Sequence, residues 1–209
     1  MRYRQQELYF GKGSQQRLGK KHVVIVGIGA LGSVSAELLC RAGVGKITLI
    51  DRDYVEEHNL QRQSLYTERD IGQAKAVAAQ QHLDQINSSI TLISHVTDLS
   101  SQNISLLDGD LVVDGTDNME TRFLMNAHCR KNKIPWVYGS AIRDEGYVKT
   151  YLPTKDCFAC TFSQGQSFET CDTSGVLNSI THTIASMQVM EALKLLLGKK
   201  PEQQLLHMN

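Results

Sequence analysis

Short runs of apolar, β-branched residues alternate along the chain with longer stretches whose apolar residues recur every three or four positions. The short runs are typical of strands buried on both faces of a sheet, and the longer stretches are typical of amphipathic helices. The predicted strands are His22–Gly27, Lys46–Asp51, Ile90–Val96, Asp110–Asp114 and Pro135–Tyr138. The predicted helices are Ala30–Gly43, Gln73–Ile86, Glu120–Lys131 and Ile180–Leu197, with a short helical turn at Leu106–Leu107.

This order of elements predicts the layers of the fold. Strands that alternate with helices form a mostly parallel sheet, because right-handed crossovers place the helices on its two faces. The segment Gly146–Leu152 alternates apolar and polar residues, so we expect the sheet to continue there with an antiparallel strand. The pattern therefore predicts an α/β domain with a mostly parallel sheet, an antiparallel extension and helices on both faces.

Composition narrows the class of protein. The 209 residues suit a single domain, 1–209, and the 41% hydrophobic and 21% charged residues are ordinary for a globular protein. Equal numbers of Lys+Arg and Asp+Glu, 22 each, disfavour binding to nucleic acid or to a membrane surface through bulk positive charge. The sequence has no apolar run that could span a bilayer, and no secretory segment at its start. We therefore expect a cytoplasmic protein.

Glycines mark the turn between the first predicted strand and the first predicted helix. Gly27, Gly29 and Gly32 fit the pattern G-x-G-x-x-G in the position where a strand passes into a helix. The first permits a tight turn, the second lets main chain approach a phosphate, and the third lets helix and strand pack closely. Asp51 ends the second strand, where a carboxylate can accept hydrogen bonds from ribose hydroxyls. These features predict a Rossmann-like nucleotide site, and the lack of a following Lys-Ser/Thr argues against a P-loop.

Further polar residues follow the strands whose carboxyl ends should face the same crevice. They are Asn59, Arg62, Gln63, Lys75, Asp117 and Asn118. Arg62 and Lys75 can neutralise a triphosphate, and Asp117 can bind Mg²⁺ through oxygen. A hydride-transfer enzyme has no need of two cations and an extra carboxylate here, so these residues favour ATP over a dinucleotide.

Several blocks of sequence occur together in one order and resemble a known family. The blocks are Gly27–Gly32, Ala42–Gly45, Asp51–Asp53, Asn59–Gln63, Asp114–Asn118 and Thr170–Cys171. Together they resemble the bacterial E1-like adenylyltransferases, the family of ThiF, MoeB and HesA, from about Arg2 to Gly198. The Asn-Leu-Gln-Arg-Gln block is specific to this family.

The resemblance implies an activity and roles for residues. Such enzymes use ATP and Mg²⁺ to activate the C-terminal glycine of a small ubiquitin-like sulfur carrier, and usually act as homodimers. It implies that Asp51 binds ribose, that Asn59, Arg62 and Lys75 bind the phosphates, and that Asp117 binds the metal. Gln63 and Asn118 would complete the nucleotide site.

The family's N-terminal arginine reaches the ATP of the partner subunit and is separated from a preceding tyrosine by one residue. Here Arg4 directly follows Tyr3, which leaves both Arg4 and Arg2 as candidates and favours Arg4. The relatives also continue beyond this point with further strands and a second cysteine pair. We therefore expect the C-terminal strands to be missing from this chain.

Cysteines suggest additional chemistry in a long polar segment, Lys155–Gly175, which we expect to be a crossover loop spanning 154–176. Cys157 and Cys160 provide half of a tetrahedral zinc site, which Cys171 or His182 could extend. An unmetallated pair is the alternative; a redox pair is less favoured, because no helix is predicted to begin at Cys157.

Cys171 has two possible roles. In the resembling enzymes a cysteine at this Thr-Cys position can bond covalently to the activated carrier, and the alternative is an inert thiol or zinc ligand. Cys40 and Cys129 lie on predicted helices and are expected in the core, and His58 and His128 are expected to be polar or packing residues.

The implied reaction needs no general base, because an α-carboxyl group with a pKa of about 3.5 is already ionised. Catalysis would instead rest on positioning and on positive charge. The sequence leaves the carrier open between ThiS-like and MoaD-like proteins, with the motifs leaning toward thiamin biosynthesis. The alternatives are an NAD-dependent oxidoreductase on the same glycine turn and a non-catalytic carrier-binding relative.

Overall fold

A computed structural model of the protein describes residues 2–155, 157–162 and 174–209. The helices are α1 (Arg4–Phe10), α2 (Ser14–Leu18), α3 (Ala30–Ala42), α4 (Lys75–Ile86), α5 (Met119–Asn132), α6 (Phe158–Thr161) and α7 (Asn178–Leu196). The strands are β1 (His22–Val26), β2 (Lys46–Ile50), β3 (Thr91–His95), β4 (Leu111–Asp114), β5 (Trp136–Ile142), β6 (Glu145–Tyr151) and β7 (Leu206–Met208).

All seven strands belong to one sheet, in the order β3-β2-β1-β4-β5-β6-β7. Strands β1 to β5 are parallel, and β6 and β7 are antiparallel to their neighbours. In the register of the sheet, Val23 of β1 pairs with Ile47 of β2 on one side and with Leu111 of β4 on the other. The chain order reverses between β1 and β4, which is where ligands bind in open α/β sheets. The predicted α/β fold with a mostly parallel sheet and an antiparallel extension is confirmed.

The two faces of the sheet belong to two apolar clusters. Val23 and Ile25 of β1 pack with α3, α4 and α7 on one face. Val24 and Val26 pack with α5 and α6 on the other face. Because successive side chains of a strand point to opposite faces, β1 must be apolar at every position. This is why it reads as an unbroken apolar run.

The structure contains elements that the apolar pattern does not predict. Helices α1 and α2 precede the first strand, and the short strand β7 follows the last helix. The prediction that no helix begins at Cys157 is wrong, because Cys157 is the N-terminal cap residue of the one-turn helix α6. No helix in the described ranges is long and apolar enough to cross a membrane.

Candidate active site

The glycine turn after β1 brings three main-chain segments unusually close together. Gly27 has a positive φ of 81°. A Cβ atom on Gly32 would stand 1.8 Å from the carbonyl oxygen of Gly27, and one on Gly115 would stand 2.3 Å from the same oxygen. Gly29 differs, because the nearest atom to a Cβ there would be 3.7 Å away. Glycine is therefore required for packing at Gly27, Gly32 and Gly115, whereas a Cβ atom at Gly29 would meet only an ordinary van der Waals contact.

Asp51 ties the end of β2 to this turn. Its carboxylate accepts hydrogen bonds from the main-chain nitrogens of Ile28, at 2.6 Å, and Asp53, at 2.7 Å. Burial raises the pKa of Asp51, and the hydrogen bonds from Asp53 and Ile28 partly offset the rise. On the other side, the hydroxyl of Tyr66 donates to the carbonyl oxygen of Ile28 at 2.8 Å. Binding of a ribose by Asp51 stays a prediction. Its structural role is to hold the glycine turn against the end of β2 through these hydrogen bonds.

The segment after β2 carries an amide without a partner. The side chain of Gln63 is buried, and its Oε1 has no hydrogen-bond partner in the described part of the chain. Its Nε2 lies 3.7 Å from the place that a Cβ on Gly29 would take. A buried polar atom without a partner is costly and calls for an explanation. The Nε2 donor of the same amide, which lies beside Gly29, is the group that a phosphate bound there could engage.

Asn59 and Arg62 are arranged by the short helical turn Glu57–Asn59. Asn59 is buried; its Oδ1 accepts from the main-chain nitrogen of Glu56 at 3.3 Å, and its Nδ2 donates to Nε2 of His58 at 3.0 Å. His58 is thus a polar neighbour of the site, as expected. Arg62 is half-buried and donates to the carbonyl oxygen of His58 at 3.1 Å. Among the described residues it has no acidic partner, so its charge is available to an anion.

Lys75 begins α4 and is buried. Its ammonium group lies 3.2 Å from Oδ2 of Asp53, and its main-chain nitrogen donates to the carbonyl oxygen of Asp53 at 2.8 Å. Asp53 also lies 3.4 Å from Arg52. Sequence reasoning missed Asp53, although a second carboxylate two residues after Asp51 was a visible signal.

Asp117 and Asn118 follow β4 and differ in what they contact. Asp117 is exposed and has no hydrogen bond or ion pair with the residues that the structure describes. Asn118 caps α5, since its Oδ1 accepts from the main-chain nitrogen of Thr121 at 2.8 Å. The capping bond uses its oxygen, and its role in nucleotide binding stays a prediction. Asp114 and Arg122, which lie beneath this loop as an ion pair, were missed by the sequence reasoning.

The N-terminal arginines lie at the other end of the sheet. Arg2 donates to Oδ1 of Asn87, and the hydroxyl of Tyr3 accepts from the same side chain at 2.9 Å. Tyr3 also packs against Gly43, which follows α3. The 13 residues of α3 span roughly 20 Å, so this region is far from the glycine turn. Arg4 is exposed, makes no hydrogen bond or ion pair with any described residue, and does not join the site of its own chain.

The described cysteines fall into two environments. Cys40 and Cys129 are buried, as predicted, and burial raises their pKa values to about 11 and about 12. Cys157 is the half-buried N-terminal cap residue of α6, and Cys160 is an exposed residue within that helix. Although burial acts in the opposite direction, hydrogen bonds from Cys160, Arg130 and Asn126 lower the pKa of Cys157 to about 7.

These groups do not complete a metal site. No group of three or more His, Cys, Asp or Glu residues in the described ranges is placed to hold a metal ion. Nδ1 of His182 donates to the carbonyl oxygen of Asn178 at 2.7 Å. Nε2 of His128 lies 2.8 Å from Oδ1 of Asp108, and the His128 side chain is largely buried, as expected of a polar packing residue. Cys171 lies outside the described residues.

The polar groups that follow these strands have the chemistry needed to bind a nucleoside triphosphate with Mg²⁺. The open main chain at Gly29, the unpartnered Gln63 amide and the cations Arg62 and Lys75 belong to segments that follow β1 and β2. Asp117 follows the adjacent strand β4. Mg²⁺ usually keeps several waters and takes one or two carboxylates together with substrate phosphates, so one exposed carboxylate suits it.

Comparison with known proteins gives consistent matches. The sequence matches the ThiF family over residues 3–209. The sulfur carrier protein ThiS adenylyltransferase of Bacillus subtilis is 42% identical over 96% of this chain and 62% of its own length. The molybdopterin-synthase adenylyltransferase of Escherichia coli is 38% identical over 95% of this chain and 82% of its own.

A solved structure shares the fold. The structure of E. coli MccB with ATP has a TM-score of 0.85 at 21% identity, covering 100% of this chain and 71% of MccB. At this identity the likeness concerns the fold alone. The chain spans less than two thirds of the B. subtilis relative, and 44% of a mosquito adenylyltransferase and sulfurtransferase, MOCS3 of Aedes aegypti, to which it is 39% identical.

Proposed function

Because the chain belongs to the ThiF family, we propose that it uses ATP to adenylylate the C-terminal glycine carboxylate of a small ubiquitin-like sulfur carrier protein. The carrier is ThiS-like or MoaD-like; the ThiS-named relative at 42% identity favours the first. The observation that carries the proposal is that an open glycine turn, two cations and an exposed carboxylate follow the adjacent strands β1, β2 and β4, at the switch point of the sheet. A dehydrogenase would have no use for the charges of Arg62 and Lys75.

The reaction follows from the charges of the site. A carrier carboxylate oxygen attacks the α-phosphorus of ATP, the new oxygen–phosphorus bond forms, and the bond to pyrophosphate breaks to leave an acyl-adenylate. The terminal carboxyl group has a pKa of about 3.5, so no residue needs to remove a proton. The obstacle to this reaction is electrostatic repulsion between the carrier carboxylate and the phosphates of ATP. Arg62 and Lys75 lower it with positive charge already in place.

Asp53 prepares Lys75 for this role. By holding both the ammonium group and the main chain of Lys75, it fixes the side chain before the nucleotide arrives. Asp117 would hold the Mg²⁺ ion, which supplies charge neutralisation at the phosphates when bound. Gln63 and Asn59 offer amide groups to the nucleotide, and the ribose would approach Asp51.

A homodimer would supply Arg4. Its own chain places Arg4 at the end of the sheet opposite the glycine turn, while Arg2 is bonded to Asn87. Arg4 is therefore the N-terminal arginine left to reach the nucleotide of a partner subunit. The hydrogen bond between Arg2 and Asn87 therefore favours Arg4 over Arg2 for this role, as the family resemblance also does.

Cysteine roles extend the proposal. Cys171 would take part in sulfur transfer after adenylation, with an inert thiol or zinc ligand as the alternative. Cys157 and Cys160 would form half of a zinc site. With these two ligands alone, metal analysis of the 209-residue chain should find well under one zinc per chain, and stoichiometric zinc would mean that Cys171, His182 or a partner subunit completes the tetrahedron. The described cysteines are unpaired, which fits a reducing, cytoplasmic compartment.

Exchange of labelled pyrophosphate into ATP, dependent on added carrier, tests the proposal. Arg62→Ala should slow exchange by about 100-fold, the scale for losing one preorganised charged group. Asp117→Ala should also slow it. Arg69→Ala is the matched control, because Arg69 is an exposed arginine nearby whose side chain makes no described contact. Full exchange by both site variants, or binding of NAD in preference to ATP, would overturn the assignment.

A further inference from the structure

Arg122 is a buried cation that bridges the end of β4 and the middle of the neighbouring strand β5. Its Nε donates to Oδ2 of Asp114 at 2.9 Å, at the end of β4. Its Nη2 donates to the carbonyl oxygen of Thr116 and, at 3.3 Å, to that of Gly139 in β5. The guanidinium also stacks over the ring of Tyr138, 5.0 Å from its centre. One side chain thus contacts the loop after β4 and the neighbouring strand together.

Asp114 holds the same loop from the other side. Its Oδ1 accepts from the main-chain nitrogen of Thr116 at 2.9 Å and from the Thr116 hydroxyl at 2.7 Å. Its carbonyl oxygen accepts from Nε2 of Gln188 in α7 at 2.7 Å, and the same amide donates to Val137 at 3.2 Å. The turn that precedes Asp117 is therefore fixed by groups from α5 and from α7.

Stability alone does not account for the buried ion pair between Asp114 and Arg122. The side chain of Asp114 is fully buried and that of Arg122 is 8% exposed. Removing two charges from water is costly, and apolar residues of similar volume often serve a core as well or better. The pair does, however, define geometry, since a planar guanidinium with several acceptors has one orientation. Burial opposes its charge, but Asp114 keeps the pKa of Arg122 above the ordinary value.

The fixed loop adjoins the glycine turn directly. Gly115 packs so closely on Gly27 that a Cβ on Gly115 would stand 2.3 Å from the Gly27 carbonyl oxygen. Asp117 is the first side chain beyond this contact that is exposed. A shift of Thr116 would therefore move the Asp117 carboxylate relative to the turn.

We propose that Arg122 is a positioning residue: by holding Thr116 and Gly139 it sets where the Asp117 carboxylate stands relative to the glycine turn. This inference rests on the proposed function. Arg122 acts through Thr116, because its own side chain is buried and bonded to the main chain of that residue. No other residue in the described part of the chain joins Asp114, Thr116 and Gly139 in this way.

The test compares Arg122→Lys with wild type. Lysine keeps the charge but cannot reach all three acceptors in the same plane. We expect a folded protein whose kcat for carrier-dependent exchange falls about tenfold or more, while KM for ATP changes little. The Mg²⁺ concentration for half-maximal exchange should rise. Lys131→Arg, the reverse exchange at an exposed position of α5, is the control and should match wild type in each measurement.

A second readout needs no substrate. Amide hydrogen exchange of the peptide 111–119 in the ligand-free protein should be faster in Arg122→Lys than in wild type, while β1 and β2 stay protected. Wild-type kcat, Mg²⁺ dependence and protection in this variant would overturn the inference, as would faster exchange without any change in kcat or Mg²⁺ dependence.

Failure of the proposed function gives a different result. In that case the wild-type protein itself shows no carrier-dependent exchange of pyrophosphate. If Arg122→Lys does not fold, Thr116→Val tests the same loop by removing the hydroxyl bond to Asp114. It should shift the Mg²⁺ dependence in the same direction, and an unchanged dependence would overturn the inference.

Discussion

The carboxylate of Asp51 accepts a hydrogen bond of 2.6 Å from the main-chain nitrogen of Ile28, across the gap between the ends of β2 and β1. A second hydrogen bond, from Asp53, engages its other oxygen. The residue that a ribose would contact is thus also the residue that shapes the glycine turn. Substitutions at Asp51 should consequently affect folding as well as binding.

Replacing Asp51 by asparagine should lower the free energy of unfolding by about 1–3 kcal/mol, because one of the two main-chain donors loses its acceptor. Nucleotide affinity should fall too. Urea unfolding and calorimetric titration with ATP measure the two effects. Asp84→Asn, at an exposed site on α4, is the control. Weaker binding without loss of stability would show that the turn does not depend on Asp51.

Two glycines of the turn should respond differently to alanine. Gly32→Ala places a Cβ atom 1.8 Å from a carbonyl oxygen, so main chain must move, and we expect a loss of about 3 kcal/mol. Gly29→Ala meets only an ordinary contact at 3.7 Å and should cost about 1 kcal/mol or less. It should nevertheless weaken ATP binding by filling the space above the turn. Equal destabilisation of both variants would contradict this reading.

Asp70 should make stability depend on pH. Although burial raises it, hydrogen bonds from Thr67 and His82 lower the pKa of Asp70. The charged form is favoured in the folded state, so its contribution is present above the unfolded pKa of about 3.9 and is lost as pH falls through the folded value. Asp70→Asn should therefore cost about 1–2 kcal/mol near neutral pH and progressively less below about pH 4.

Chemical denaturation at a series of pH values measures this difference. Glu68→Gln is a suitable control, since Glu68 is an exposed carboxylate in the short helical turn Glu68–Asp70, which also contains Asp70. A difference between Asp70→Asn and wild type that stays constant down to low pH would contradict the assignment.

The thiols should differ in reactivity toward iodoacetamide. The pKa of Cys157 is about 7, whereas those of the buried Cys40 and Cys129 are about 11 and about 12. Since the thiolate is the nucleophile, Cys157 should be modified faster than the two buried thiols at neutral pH, with a rate that rises through pH 7. Peptide mapping by mass spectrometry follows each site. Modification of Cys40 in the folded protein at a similar rate would refute this order.

Cys171→Ala separates adenylation from sulfur transfer. Adenylation needs no thiol, so carrier-dependent pyrophosphate exchange should stay near the wild-type rate. Later transfer of sulfur to the carrier should be impaired. Unimpaired transfer, or loss of exchange, would exclude the role proposed for Cys171.

The elements that the sequence predicted are those that bury apolar side chains. Strands β1, β2 and β4 read as apolar runs because both faces of the central sheet are covered. Helix α1 has no buried residue, and the three residues of β7 are half-buried or exposed, so neither carries a periodic signal. Helix α6 has a single turn, which is too short for a period to be recognised.

By itself the sequence determined the order of the strands and helices that form the core, the glycine turn and the family, because these depend on local spacing and on blocks of adjacent residues. Only the tertiary structure decided that Asp51 holds Ile28, that Arg122 and Gln188 fix the end of β4, and that Arg4 lies away from its own site. Gln188 and Asp114 are separated by 74 positions along the chain. Such contacts depend on how distant elements pack, and the periodicity of a sequence does not encode which buried polar side chains meet.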